Sequence, residues 1–424
     1  MNKEDSLYSI YVQILKEELV MAMGCTEPIS ISYACAKATQ ILQHLPDRIV
    51  VKASGSIIKN VKSVIVPHTN GLKGIEVAAA AGALYGDANA KLEVLSSATK
   101  QQIEELPEYV RKTNITVQHI EQGHVFDLEV NVYYEQEHAS VRIVDAHTNI
   151  VQMEKNWEVI YEDKTTNLEH KADHSALIMK QIWDFSQTVD IEDIKEILEQ
   201  QITCNMAIAN EGIHNSYGAN IGHVILNMDS DCVKTKAKAY AAAGSDARMN
   251  GCELPVVINS GSGNQGITCC VPVVVYAKEL NCTEEQLYRA LVLSNLTAIY
   301  IKTGIGTLSA FCGAVSAGAA AGAGIAFLHD GTYEEIQHTI VNALAILSGT
   351  ICDGAKASCA AKIASSVDAG IMGYYMYKNK QQFYAGDGIV AHNVDETIKN
   401  IGTLGSQGML QTNDKIIEMM ISCD

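Results

Sequence analysis

No two of the twelve cysteines in this 424-residue chain are spaced as CxxC, which removes zinc ribbons, thioredoxin-like redox sites and ferredoxin-type cluster runs. Basic residues are in short supply. The 31 Lys and Arg against 49 Asp and Glu leave a formal charge of −18, and a field of that sign repels phosphate backbones, which argues against nucleic-acid binding. It repels small anionic substrates as well, so a site for one must supply its own donors. Aromatic residues make up only 6% and charged residues 19%, while 47% are hydrophobic, a composition that buries a large core and is not disordered. No secretory signal is expected, since Glu4, Asp5, Glu17 and Glu18 interrupt any apolar run in the first thirty residues, and the cytoplasm is the expected address. In that reducing compartment a disulfide framework is not expected, so the cysteines are buried small hydrophobes, metal ligands or nucleophiles. No internal repeat or low-complexity linker interrupts the chain.

The length corresponds to roughly two to three domains. Residues 6–22 read as an amphipathic helix, and after GCTEP a second helix is expected over Ile29–Gln43, with Pro28 suited to a first turn and Cys25 at the helix entrance. From Arg48 the texture becomes β-branched, with an alanine-rich helix near Gly74–Tyr85 and a clear strand at Phe126–Tyr133, whose Phe126, Leu128, Val130 and Val132 face a core and Asp127, Glu129 and Asn131 face water. Beyond Asn167 the helical period takes over, with capping-box starts at Thr283/Gln286 and Thr332/Glu335. The expected fold is therefore α+β: a mainly helical catalytic domain (166–424) joined by the N-terminal helices (1–46), with an inserted α/β domain at 47–165. The uncharged run Leu308–Leu328 is long enough to span a bilayer, but its Ala and Gly content, without basic flanks or an aromatic belt, fits a buried close-packed helix.

Gly261-Ser-Gly-Asn-Gln-Gly266 matches the GxGxxG pattern of dinucleotide loops. That reading fails, because no acidic residue ends a following strand and no βαβ alternation surrounds it. What survives is a polar loop feeding a helix, whose backbone N–H groups suit an anion, with Ser260, Ser262, Asn264 and Gln265 as further donors; a plain tight turn is the alternative. Upstream, Asp246 and Arg248 form a charge pair near that loop, and Arg248 could grip a carboxylate or make a surface salt bridge. His68 and Asn70 sit in a polar turn and either point into a site or close a loop. Cys25, at a helix N-terminus, has a thiolate favoured by the dipole, unless it is a satisfied buried thiol. Cys352 and Cys359 flank a break at Gly354, which would let both point inward from a loop and the next helix, and Cys312 could converge with them; inert core cysteines are the alternative.

Taken in order, GCTEP around Cys25, SDARM around Arg248, SGSGNQG at 260–266, Cys312 in a small-residue helix and CDGAKxxC at 352–359 resemble the L-cysteine desulfidase family, which is related to iron-sulfur L-serine dehydratases. The resemblance covers nearly the whole chain. It implies a [4Fe-4S] cluster held by Cys312, Cys352 and Cys359, with one iron left open, and Cys25 in proton transfer. The substrate carboxylate would rest on Ser260, Ser262, Asn264, Gln265 and Gly266 with help from Arg248, and His68 and Asn70 are further substrate-binding candidates. Lys356 and His68 are alternative bases. The implied reaction is β-elimination of L-cysteine to pyruvate, ammonia and sulfide without pyridoxal phosphate; L-serine dehydration is the alternative. A non-catalytic helical scaffold or iron-sulfur redox sensor is the reading from another class. The expected partner is a small amino acid, L-cysteine or L-serine, with no nucleic acid and no membrane, and a homodimer is the assembly to test. Cys423, in the tail, is expected to be a terminal bystander, with reach to the open iron as the alternative.

Overall fold

The computed structural model describes residues 1–163 and 172–421. The chain opens with α1 (Ser6–Glu18), β1 (Met21–Met23), α2 (Thr26–Leu42), β2 (Arg48–Ser54), α3 (Gly55–Val61), α4 (Ile75–Tyr85) and α5 (Lys100–Lys112). Five strands follow: β3 (Asn114–Ile120), β4 (Asp127–Tyr134), β5 (Glu137–Val144), β6 (Ile150–Lys155) and β7 (Glu158–Glu162). Helices then dominate: α6 (Met179–Thr188), α7 (Lys195–His214), α8 (Ile221–Leu226), α9 (Val233–Met249), the short β8 (Pro255–Val257), and α10 (Gly263–Glu279). The rest comprises α11 (Glu284–Ile305), α12 (Gly313–Leu328), α13 (Tyr333–Ile346), α14 (Ser358–Lys378), α15 (Val394–Thr403) and α16 (Leu410–Ile421). The fold is α+β, as the hydrophobic patterning implies.

Six strands form one sheet in the order β3-β2-β4-β5-β6-β7, parallel only between β2 and β3. Helices α2 and α4 share its core with Ile49, Val51, Val130 and Val141. They approach closely because both carry small residues: a Cβ built on Gly82 would lie 2.2 Å from the Ser32 carbonyl oxygen. The expectation that both N-terminal helices pack with the helical half is thus corrected for α2. Its Ala34, Cys35 and Ala38 belong to the sheet's core, whereas Tyr11, Ile14 and Leu15 of α1 are buried with the helices. The first helix also stops at Glu18, earlier than its periodicity suggests, because Met21–Met23 pairs antiparallel with Pro255–Val257.

On β4 the alternation is only partly obeyed. Asp127 and Asn131, expected in water, are buried. Arg142 of β5 grips Asp127 through Nε at 3.0 Å and Nη2 at 2.8 Å, and Asn131 is bonded to Glu129 on its own strand and to His138 of β5, so neighbouring side chains satisfy what solvent would have.

The small-residue stretch becomes α12, packed among α10, α11, α13 and α14. A Cβ on Gly318 would lie 2.3 Å from the Ser366 carbonyl oxygen of α14, and one on Gly322 would lie 2.6 Å from that of Gly370. The backbones therefore touch, which only glycine permits. Both expected capping boxes are present, at the starts of α11 and α13. No described helix is long and apolar enough to cross a membrane.

Candidate active site

A cavity of about 930 Å³ lies where the sheet-bearing half meets the helical half. Its wall is built from the ends of elements. Cys25 is the N-cap of α2, Ser262 the N-cap of α10 and Cys312 the N-cap of α12, and Cys359 lies in the first turn of α14. Four helix N-termini therefore converge on one space, and each brings unpaired N–H groups and the positive end of a dipole. The region suits an anion despite the chain's acidic balance.

Three of the helical half's cysteines, Cys312, Cys352 and Cys359, line this cavity. Residues 310–312 and 350–352 form a short antiparallel bridge, in which Cys312 N–H donates to Thr350 O at 3.0 Å and Cys352 N–H to Ala310 O at 2.7 Å. This places Cys312 just before α12 rather than within it. Gly354 has φ +95, turning the chain so that Cys359 re-enters from α14. The Cys312 and Cys352 side chains are close enough to act on each other's ionisation. That proximity, opposed by burial and helped by Lys59, holds Cys352 below the usual thiol range; the same proximity and burial raise Cys312. Burial also raises Cys359. Among the described residues, no group of three or more His, Cys, Asp or Glu is spaced to hold a single metal ion.

Across the cavity, Cys25 Sγ donates to Glu27 Oε2 at 3.1 Å, and Asn60 Nδ2 donates to Glu27 Oε1 at 2.8 Å. The helix-dipole expectation for Cys25 is corrected by this pair. Burial and the Glu27 charge push its thiol well above the ordinary value, outweighing the pull of Arg248. Burial opposes ionisation of Glu27, but the field of His147 and the hydrogen bonds from Cys25 and Asn60 prevail and hold its carboxyl below the ordinary value. His147, on the turn between β5 and β6, is kept below its ordinary pKa by burial.

Arg248 is 3% exposed and has no carboxylate within ion-pair distance among the described residues. Its Nη1 donates to Asn264 Oδ1 at 3.2 Å, and its Nε has no partner. The expected pairing with Asp246 does not occur: Asp246 accepts from Ile221 N–H at 2.6 Å, and burial raises its pKa to about 6. The glycines of the polar loop act through space. A Cβ on Gly263 would lie 2.3 Å from Arg248 Nε, and one on Gly266 would lie 2.0 Å from Val257 O. Gly266 thus seats α10 on β8 and, unlike Ser260, Ser262, Asn264 and Gln265, does not line the cavity. Ser262 spends its hydroxyl accepting from Gln265 N–H at 3.4 Å.

Four buried polar atoms on residues of this one wall lack hydrogen-bond partners: Arg248 Nε, Gln265 Oε1, Asn60 Oδ1 and His147 Nε2. Native interiors rarely tolerate such atoms, so their concentration here marks a place for a polar ligand. His68 and Asn70 are not among the lining residues. His68 Nε2 lies 3.0 Å from the Met23 sulfur and its Nδ1 3.3 Å from Glu253, while Asn70 is exposed at φ +54, so their turn closes a loop. Lys356 is paired with Asp353 at 2.6 Å and also stays outside the wall. Cys423 lies outside the described residues.

Sequence reading passed over Glu27, Asn60, His147 and Lys302. An acid in a helix's first turn is an ordinary dipole partner, and DAHTN reads as any hairpin turn. Lys302 did leave a signal, as the lone charge in the apolar segment AIYIKTGIG.

A cavity walled by three convergent thiols and a thiol–carboxylate pair defines an enzyme with a buried reaction centre between two cores. The model described as the serine dehydratase alpha chain matches residues 89–418, and the chain belongs to that iron-sulfur serine dehydratase-like family. Membership makes it a lyase of the serine dehydratase type. It is 52% identical over 424 residues to a UPF0597 protein of Desulfitobacterium hafniense, covering 100% of this chain and 99% of that relative. A UPF0597 protein of Finegoldia magna is 48% identical over 415 residues (97% of this chain, 99% of the relative), and one of Treponema denticola 43% over 430 (99% and 100%).

Proposed function

We propose that this lyase is a [4Fe-4S]-dependent L-cysteine desulfidase that works without pyridoxal phosphate in a reducing cytoplasm. The carrying observation is that Cys312, Cys352 and Cys359 line the same cavity as Arg248 and the Cys25–Glu27 pair. The donors suit an iron-sulfur cluster: three thiols lining one cavity, two of them at the starts of α12 and α14. A cluster spreads its ligands over separate irons, unlike a single ion. When bound, such a cluster would supply a Lewis-acidic iron to polarise the substrate's β-substituent.

The chain's own residues do the rest. Arg248, with its free Nε, receives the substrate carboxylate beside the start of α10 and orients Cα–H toward Cys25. The Cys25 sulfur accepts the Cα proton as its own proton passes to Glu27, so the pair gains one proton and the substrate loses one. The Cα–H electrons form the Cα=Cβ bond while the C–S pair leaves on sulfur. The product, 2-aminoacrylate, tautomerises and hydrolyses to pyruvate and ammonia.

Soft iron prefers sulfur, which puts L-cysteine first. The family's description favours L-serine as a second reading. Anaerobic reconstitution followed by sulfide and pyruvate assays, with both amino acids at equal concentration, tests the choice. Ala at Cys312, Cys352 or Cys359 is expected to abolish colour, and Cys25→Ala to keep colour and lose turnover. Protein that stays colourless and iron-free after reconstitution overturns the reading; brown protein inert toward both amino acids turns it toward a redox sensor.

A further inference from the structure

Burying a charge without a partner is costly, because an ion taken out of water needs an opposite charge or a full set of hydrogen bonds. Two lysines are in that position, Lys302 in the cavity wall and Lys59 bonded to the loop that carries Cys352. Lys59 on α3 is 1% exposed. Its Nζ donates to Asn413 Oδ1 of α16 at 2.7 Å and to Cys352 O at 3.4 Å. Lys302, near the end of α11, lines the cavity and donates to Gly306 O. Neither has a carboxylate within ion-pair distance among the described residues, whereas the neighbouring Lys356 and Lys362 both pair with Asp353. Backbone packing ties Lys59 to the cysteine loop as well: a Cβ on Gly354 would lie 2.3 Å from the Lys59 carbonyl oxygen.

We infer that Lys59 and Lys302 are the counter-charge of the cluster, two ammonium groups set against the negative charge that three thiolates bring into the cavity, with Lys59 also fixing the loop that carries Cys352. This rests on the cluster reading above. Both are positioning residues, acting on the cluster rather than on the substrate. The assignment has opposite consequences for the two forms of the protein. Without iron the two ammonium groups share a single lowered thiol, Cys352, so removing one leaves the empty fold unharmed or relieved; with iron bound, removing one exposes uncompensated thiolate charge.

Lys59→Met, Lys302→Met and Lys302→Arg test this. The metal-free Met variants are expected to melt at or above the wild-type temperature. After reconstitution they lose iron to a chelator about tenfold faster, the low end of the effect of removing a group that supports metal ligands. Their clusters are also harder to reduce, and Lys302→Arg restores both properties. If Lys59→Met fails to fold, Lys302→Met decides, since it leaves the bonds of Lys59 to α16 and to the cysteine loop intact. Met variants with wild-type iron retention and reduction potential overturn the inference while leaving the desulfidase reading in place. So does Lys302→Met losing turnover alone, which makes Lys302 a substrate residue. Wild-type protein that takes up no cluster removes both.

Discussion

Cys25 Sγ and Glu27 Oε2 lie 3.1 Å apart, with the proton on sulfur and the charge on the carboxylate that Asn60 also holds. Burial and Glu27 raise the thiol, and the surroundings of Glu27 overcome its own burial to keep it ionised. Glu27→Gln preserves shape and removes the destination of the proton. The expected result is a fall in kcat of about 10²–10⁴-fold, the span of a lost acid–base group, at unchanged iron content. Sulfide release measured beside iron analysis checks it.

Arg248→Met should act on binding. Removing one partner of a buried charge pair costs roughly 2–5 kcal/mol, about 30-fold or more in KM or in the dissociation constant of a carboxylate inhibitor. Titration calorimetry with such an inhibitor reads the effect without turnover. An unchanged constant would place the carboxylate elsewhere.

Gly318→Ala sets two effects against each other. Alanine gains about 1 kcal/mol in helix propensity. Its Cβ, however, would meet the Ser366 carbonyl at 2.3 Å, and overpacking backbone against backbone costs about 1–3 kcal/mol. The clash wins, so thermal stability drops. Because α12 and α14 carry Cys312 and Cys359 at their starts, iron retention should fall with it.

Four histidines, His138, His147, His329 and His338, are held below their ordinary pKa by burial. The unfolded chain therefore binds more protons than the folded one between those lowered values and about 6.5, so stability declines as pH falls through that window. Asp246, raised to about 6, has the opposite sign, since its contribution is lost as pH rises through that value. Lowered carboxylates such as Glu129 and Asp368 act in the same direction as the histidines, so Asp246 is outweighed. The melting temperature of metal-free protein should decrease from pH 7.5 toward acid, and His338→Gln, away from the cavity, should flatten the slope.

Periodicity and capping chemistry are short-range, and they were legible. The helices after Thr283 and Thr332, the alanine-rich helix near Ile75 and the β4 core face all follow from neighbours within a turn or a pleat. The cysteines of the helical half and the polar loop at 260–266 were visible as residue types. Asp127 was misplaced because its burial depends on Arg142 of the neighbouring strand, and the Cys25 pKa because a local dipole argument omits what burial and Glu27 do.

Sequence alone determined the α+β class, the capped helix starts after Thr283 and Thr332 and the thiols available for a metal, since each depends on side chains close along the chain. Only the tertiary structure decided which groups share the cavity. Lys59 meets Asn413 across 354 positions, and Asn60 meets Glu27 across 33. Such meetings arise from how two cores close on each other, because helix ends left without partners must find them in three dimensions.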